Sequence, residues 1–143
     1  MSQEGHEHGF EAPKHGEFCW TEIASNDSAA ARSFFNEIFG WQFQEPKPGG
    51  FEYNEFSTGG PGPTGGLYQI DPQFFGGHAP PPHFMIYVAV DNVDESAAKA
   101  QALGGSVMTG PMDIPDVGRF AVIKDPADAA IAIYTMKAGG ITE

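Results

Sequence analysis

Five side chains in this sequence are of types that can do chemistry and lie where a strand would present them. Glu22 sits in the apolar run "FCWTEIAS", two residues after Trp20; His83 and Tyr87 sit in "HFMIYVAV", Tyr134 in "AAIAIYTMK", and Arg119 near the start of "GRFAVIKDP". A carboxylate half-buried beside an indole is pushed towards neutrality by desolvation, so Glu22 suits a general base or a ligand anchor. The plainer reading is a strand-end acid satisfied by a basic group or water. His83 suits a proton shuttle, but three prolines precede it, which also fits an exposed strand start. Tyr87 and Tyr134 each carry one hydroxyl on an apolar body, fitting a cleft wall that orients a polar ligand group and fitting plain packing equally well. Arg119 can clamp a carboxylate with two hydrogen bonds, although a salt bridge to Asp113, Asp116 or Asp125 is favoured.

The whole-chain balance narrows the partners. Nineteen acids against seven bases, a net charge of −12, disfavour phosphate backbones and anionic membranes, which need basic patches, so neither nucleic acid nor membrane is expected. Cys19 is the single cysteine, which excludes a disulfide framework and a Cys-rich zinc site and reads as a small buried hydrophobe. The first residues, "MSQEGHEHGFEAPKHGEF", are polar and acidic with no apolar leader core, and no later run has membrane length, so a cytoplasmic protein is expected. Residues 1–15, with His6, His8 and His15, read as a flexible arm.

The elements that must hold these residues form a repeat. "FCWTEIAS" alternates as a strand, and a helix follows over residues 28–39 with Asp27 as N-cap, Gly40 as stop and an apolar stripe of Ala31, Phe34, Phe35 and Ile38. "WQFQEP", "FEYNEFST" and "GGLYQI" read as three further strands; "GGPGPTGG" lacks the Lys-Ser/Thr ending of a phosphate-binding loop and reads as a hairpin connection. After the Pro- and Gly-rich linker 72–82 the order recurs, with strand "HFMIYVAV", a helix over "NVDESAAKAQAL" capped by Asn92 and Glu95, and strands "GGSVMTGPM", "GRFAVIKDP" and "AAIAIYTMK". A constant offset of 65 residues relates the halves, pairing Trp20 with Met85, Asp27 with Asn92 and Leu67 with Ala132. The expected fold is α+β: tandem βαβββ modules, 16–71 and 83–137, in one domain of residues 16–140. They form a curled, incompletely closed mixed β-barrel with helices outside and a ligand cleft inside. Alternation places Phe18, Trp20 and Glu22 on the cleft face, with His83, Met85 and Tyr87, and with Ala132 and Tyr134.

Two stretches, "FCWTEIASNDSAAARSFFNEIFGW" and "DIPDVGRFAVIKDPADAAIAIY", resemble the vicinal oxygen chelate superfamily of glyoxalases, bleomycin resistance proteins and extradiol dioxygenases, in its glyoxalase-like subgroup. The resemblance implies a homodimer with a site inside the curled sheet. It also implies that metal enzymes of this superfamily put their ligands at Trp20, Leu67, Met85 and Ala132, none of which supplies a hard-metal donor. The leading expectation is therefore a protein binding a small organic ligand with no metal cofactor. Glu22 and His83 are its candidate catalytic groups, and Trp20, Leu67, Gln69, Met85, Tyr87, Arg119, Ala132 and Tyr134 its candidate ligand-binding residues. Two alternatives stand beside it. A two-residue register difference would bring Glu22, Gln69, His83 and Tyr134 into the metal seats of a divalent-metal-dependent lyase or dioxygenase, and a non-catalytic drug-sequestering protein needs no metal at all.

Overall fold

The computed structural model describes residues 12–46, 48 and 52–137. His6 and His8 lie outside the described residues. The chain runs β1 (Phe18–Ser25), α1 (Ser28–Phe39), β2 (Gln42–Phe43), β3 (Tyr53–Ser57) and β4 (Gly65–Gln69). It continues with a 3-10 turn (Pro72–Phe75) in the expected linker, then β5 (His83–Ala89), α2 (Val93–Ala102), β6 (Ser106–Ile114), β7 (Gly118–Lys124) and β8 (Ala130–Met136).

Both helices begin and end for local reasons. Asp27 accepts a hydrogen bond from the Ala30 N–H at 3.0 Å, and Gly40 takes the left-handed conformation that closes α1. Asn92 likewise accepts from the Glu95 N–H at 3.0 Å to start α2.

All eight strands join one mixed sheet in the order β2-β3-β4-β1-β5-β8-β7-β6. The modules meet at its centre, where β1 and β5 pair antiparallel, and inside each module the first strand pairs parallel with the last, β1 with β4 and β5 with β8. The sheet is not closed: β2 and β6 stand at its two ends and do not pair with each other. The helices cover parts of one face. Ile23, Phe56 and Leu67 are buried there with Ala31 and Phe35 of α1, and Ala121 and Ile133 are buried with Val93 and Ala97 of α2.

The helix stripes are narrower than expected. Phe34 and Ile38 of α1 are more than half exposed, as is Leu103 beyond α2. Phe84 and Ile86 lie on β5, between the two helices, and are also largely exposed, although the Phe84 ring meets Phe35 edge-on at 5.8 Å. Just before β1, the Gly16 N–H donates to the Ala89 carbonyl at 2.7 Å, and the Asp91 N–H donates to His15 Nδ1 at 2.9 Å.

The constant 65-residue offset fails in the last strand. Glu22 pairs with Gly66 and Ile23 with Leu67, whereas Tyr87, the equivalent of Glu22, pairs with Ala132, and Val88 with Ile133. The last-strand equivalents are therefore Gly66 with Ala132 and Leu67 with Ile133, an offset of 66. The modules also differ in β6, whose pairing with β7 shifts register between Val107 and Thr109 and again between Thr109 and Met112.

Candidate functional site

The face without helices carries the third buried cluster, Tyr87, Val122 and Ala132, with Cys19, Trp20, Met85, Phe120 and Tyr134 packed around it. The β1–β5 register sets Trp20 opposite Tyr87, Glu22 opposite Met85 and Ala24 opposite His83, which brings the polar candidates of both strands to one face. A bulge between Phe18 and Trp20 breaks the alternation assumed for β1. Phe18 falls opposite Val88 and is 75% exposed, while Cys19 joins the cluster beside Trp20.

Glu22 is the centre of a hydrogen-bonded chain. The Trp20 indole N–H donates to the Tyr53 hydroxyl at 2.8 Å, Tyr53 donates to Glu22 Oε2 at 2.7 Å, and Tyr87 donates to Glu22 Oε1 at 2.9 Å. Burial pushes the Glu22 carboxyl above the usual carboxylate range; the Tyr53 and Tyr87 hydrogen bonds and the nearby His83 oppose that rise by favouring the ionised form. Burial, reinforced by the Glu22 charge, drives both phenols far above their ordinary range, so they remain protonated donors. The result is a carboxylate held in place by neutral donors, with one further acceptor position on each oxygen.

Tyr53 was not singled out from the sequence, because it belongs to β3, which is separated from β1 by β4. It reaches Glu22 only by lying across Gly66, where an added Cβ would stand 2.1 Å from the Tyr53 ring. The readable signal was the "GGL" start of β4, since a strand glycine marks a close approach. Tyr68, on the same strand face as Gly66, also went unnoticed; its hydroxyl is raised by burial and by the Glu22 charge.

The expected residues divide cleanly. Trp20, Glu22, Met85, Tyr87, Ala132 and Tyr134 come together on the helix-free face, with the Tyr134 hydroxyl donating to the Val117 carbonyl at 2.9 Å. His83 shares that face, and its Nδ1 must donate to the Pro81 carbonyl at 2.8 Å, because a carbonyl only accepts.

Leu67 does not belong to the site. It is fully buried with Ile23 and Phe56 on the α1 side, the consequence of the one-residue difference in offset. Gln69 is also displaced: its Oε1 accepts from the Ser28 N–H at 2.9 Å and its amide donates to the Asn26 carbonyl, so it secures the start of α1.

Arg119 faces α2 rather than the cleft. It grips Asp94 through Nε and Nη2 at 2.9 and 3.0 Å and Asp113 through Nη1 at 3.0 Å. The Asp113 pair was expected and the Asp94 pair was not. These side chains border an open groove of about 430 Å³ beside the start of α2, away from Glu22. Of the other acids considered for Arg119, Asp116 pairs with Lys137 at 3.6 Å, and Asp125 accepts from the Ala127 and Ala129 N–H groups in the β7–β8 turn.

The donor set does not fit a divalent metal. Among the described residues no three His, Cys, Asp or Glu side chains are grouped so as to hold one. One carboxylate meets two protonated phenols and an indole that can only donate, while the corrected last-strand seats are Gly66 and Ala132, which have no donor atoms. Among the described residues no helix is long and apolar enough to cross a membrane.

Comparison with known proteins agrees with this architecture. The family model described as Glyoxalase/Bleomycin resistance protein/Dioxygenase superfamily matches residues 18–133. CFP32 of Mycobacterium bovis, provisionally named a glyoxylase, is 33% identical over 116 residues, which are 80% of this chain and 44% of that protein. The anthracycline biosynthesis protein DnrV of Streptomyces peucetius is 32% identical over 126 residues, 80% of this chain and 45% of that protein. The chain thus spans less than half the length of these curated relatives. In fold alone it is similar to methylmalonyl-CoA epimerase from Mycobacterium tuberculosis, at TM-score 0.59 and 13% identity over 92% of this chain and 96% of that one. It is similar in the same way to the Mn(II)-bound glyoxalase from Novosphingobium aromaticivorans, at TM-score 0.56 and 16% identity over 85% of this chain and 39% of that one.

Proposed function

This chain belongs to the Glyoxalase/Bleomycin resistance protein/Dioxygenase superfamily, and we propose that it binds a small organic ligand on the helix-free face and that Glu22 accepts a proton from that ligand without a metal ion. The observation that carries this reading is the Glu22 carboxylate, raised by burial yet held by two phenols at 2.7 and 2.9 Å. Burial raises the proton affinity of such a base, and the two phenols fix the position from which it takes a proton. Trp20, Met85, Tyr87, Ala132 and Tyr134 supply the apolar wall against which the ligand's body would pack. His83, on the same face with Nε2 unengaged by Pro81, suits the return of the proton.

The test is proton exchange. Purified, tag-free protein is incubated in D2O with small 2-oxo compounds and their thiol adducts, and deuterium entry at the carbon beside the carbonyl is followed by NMR. Glu22→Gln is expected to slow enzyme-dependent exchange by about 100-fold or more, the usual contribution of a positioned base. Exchange by Glu22→Gln at the wild-type rate would sink the assignment, and stoichiometric metal in the same preparation would overturn the metal-free part.

A further inference from the structure

We propose that the ligand of the helix-free face carries a positive charge on a ring-bearing, apolar body, with the cationic group seated on Glu22 and the rings of Trp20, Tyr87 and Tyr134 around it. This rests on the reading of that face as a ligand site and adds the class of molecule it takes.

When ionised, Glu22 lacks a full counter-charge. Glu22 receives hydrogen bonds from two neutral phenols, and among the described residues no lysine or arginine pairs with it. Among the described residues Arg119 is engaged by Asp94 and Asp113, and Lys137 by Asp116. His83 is the titratable group that favours the ionised Glu22, and it does so as a cation only when protonated. A buried carboxylate in this condition loses hydration without regaining a full opposite charge. A ligand cation supplies that charge, which a neutral ligand does not, and an anionic one would be repelled.

The walls point the same way. Tyr87 belongs to the buried cluster and Trp20, Phe120 and Tyr134 pack against it, and aromatic faces attract cations in addition to packing on apolar bodies. The Tyr87 and Phe120 ring centroids lie 6.4 Å apart, so the wall is continuous from the carboxylate to β7. At long range, the net charge of −12 concentrates cations near the protein and excludes anions.

Three probes with one phenyl body separate the charge classes: phenethylammonium, 2-phenylethanol and phenylacetate, titrated at mildly alkaline pH by ligand-observed NMR. Phenethylammonium is expected to bind about 10-fold or more tighter than 2-phenylethanol, with phenylacetate weakest. In Glu22→Gln, checked for folding by circular dichroism, the ammonium advantage should fall to about one while 2-phenylethanol binding is retained. Equal binding of the alcohol and the ammonium, or an advantage that survives Glu22→Gln, overturns the cationic class but leaves the ligand site standing. Binding of none of the three at millimolar concentration overturns both. If Glu22→Gln does not fold, the ranking of the three probes on the wild-type protein decides the matter.

Discussion

Glu22 and Tyr87 occupy equivalent places in the two modules, and the side chains around them differ in a consistent way. In the first module Tyr53 pairs with Tyr68; in the second, Phe120 pairs with Tyr134 at the same place in the ladder. The parallel partner of Glu22 is Gly66, and that of Tyr87 is Ala132. The first module therefore contributes a carboxylate, a phenol and an empty position through which the phenol reaches. Its counterpart contributes a methyl group, a phenyl ring and one phenol aimed back at Glu22. Duplication supplied two similar surfaces, and the substitutions at these three sites made one polar and the other a packing wall.

Exchanging the glycine and the alanine is the strongest way to break that asymmetry. Gly66→Ala puts a methyl into the Tyr53 ring and is expected to cost about 1–3 kcal/mol, as overpacking does, and to move Tyr53 off Glu22. The reciprocal Ala132→Gly removes a fully buried methyl and is expected to cost about 1–2 kcal/mol while leaving the Glu22 hydrogen bonds in place. Urea midpoints measure the first quantity and Trp20 emission the second. A Gly66→Ala protein with wild-type stability and emission would show that Tyr53 does not depend on the glycine.

Converting the phenol of the first module to the phenyl of the second is milder. Tyr53→Phe removes one hydrogen bond to the carboxylate and leaves the Trp20 N–H without this acceptor, a loss of about 1–2 kcal/mol. It also removes an influence that favours the ionised acid, so the Glu22 pKa, followed by carboxyl NMR, should rise further. An unchanged pKa would mean that the hydrogen bond does not govern the charge.

The pH dependence sharpens the comparison further. The folded Glu22 pKa lies above its unfolded value, so the folded state holds the proton more tightly. Its contribution to stability is complete below the unfolded pKa, near 4.5, and is lost as pH rises through the folded pKa. Wild-type stability should therefore decline relative to Glu22→Gln across that window, by about 1.4 kcal/mol for each tenfold difference in proton affinity. Burial opens the window, and Tyr53, Tyr87 and His83 narrow it by favouring the ionised acid. A stability difference independent of pH would refute the raised pKa.

Much of this was legible along the chain. The bounds of α1 and its Asp27 and Gly40 caps follow from residue types, because capping is a local event. The eight strands in two βαβββ groups follow from alternation and from glycine and proline breaks. Glu22, Trp20, Met85 and Tyr87 were placed on one face because a two-residue period needs no tertiary knowledge between bulges. Phe18 was misassigned because a bulge reverses that period for the residues beyond it. Leu67 was misassigned because a net difference of one residue between the modules is invisible to a constant offset yet turns a side chain to the opposite face.

The sequence by itself determined the duplicated module, the caps and the acid two residues after a tryptophan. These depend on neighbours a few positions apart and on the handedness and pleat of the backbone. Only the tertiary structure decided that Tyr53 would cross Gly66 to hold Glu22, that Gln69 would secure a helix, and that Arg119 would turn away to Asp94 and Asp113. Those choices depend on register between strands distant in the chain and on the space left by a missing methyl group, and both arise only when the sheet has assembled.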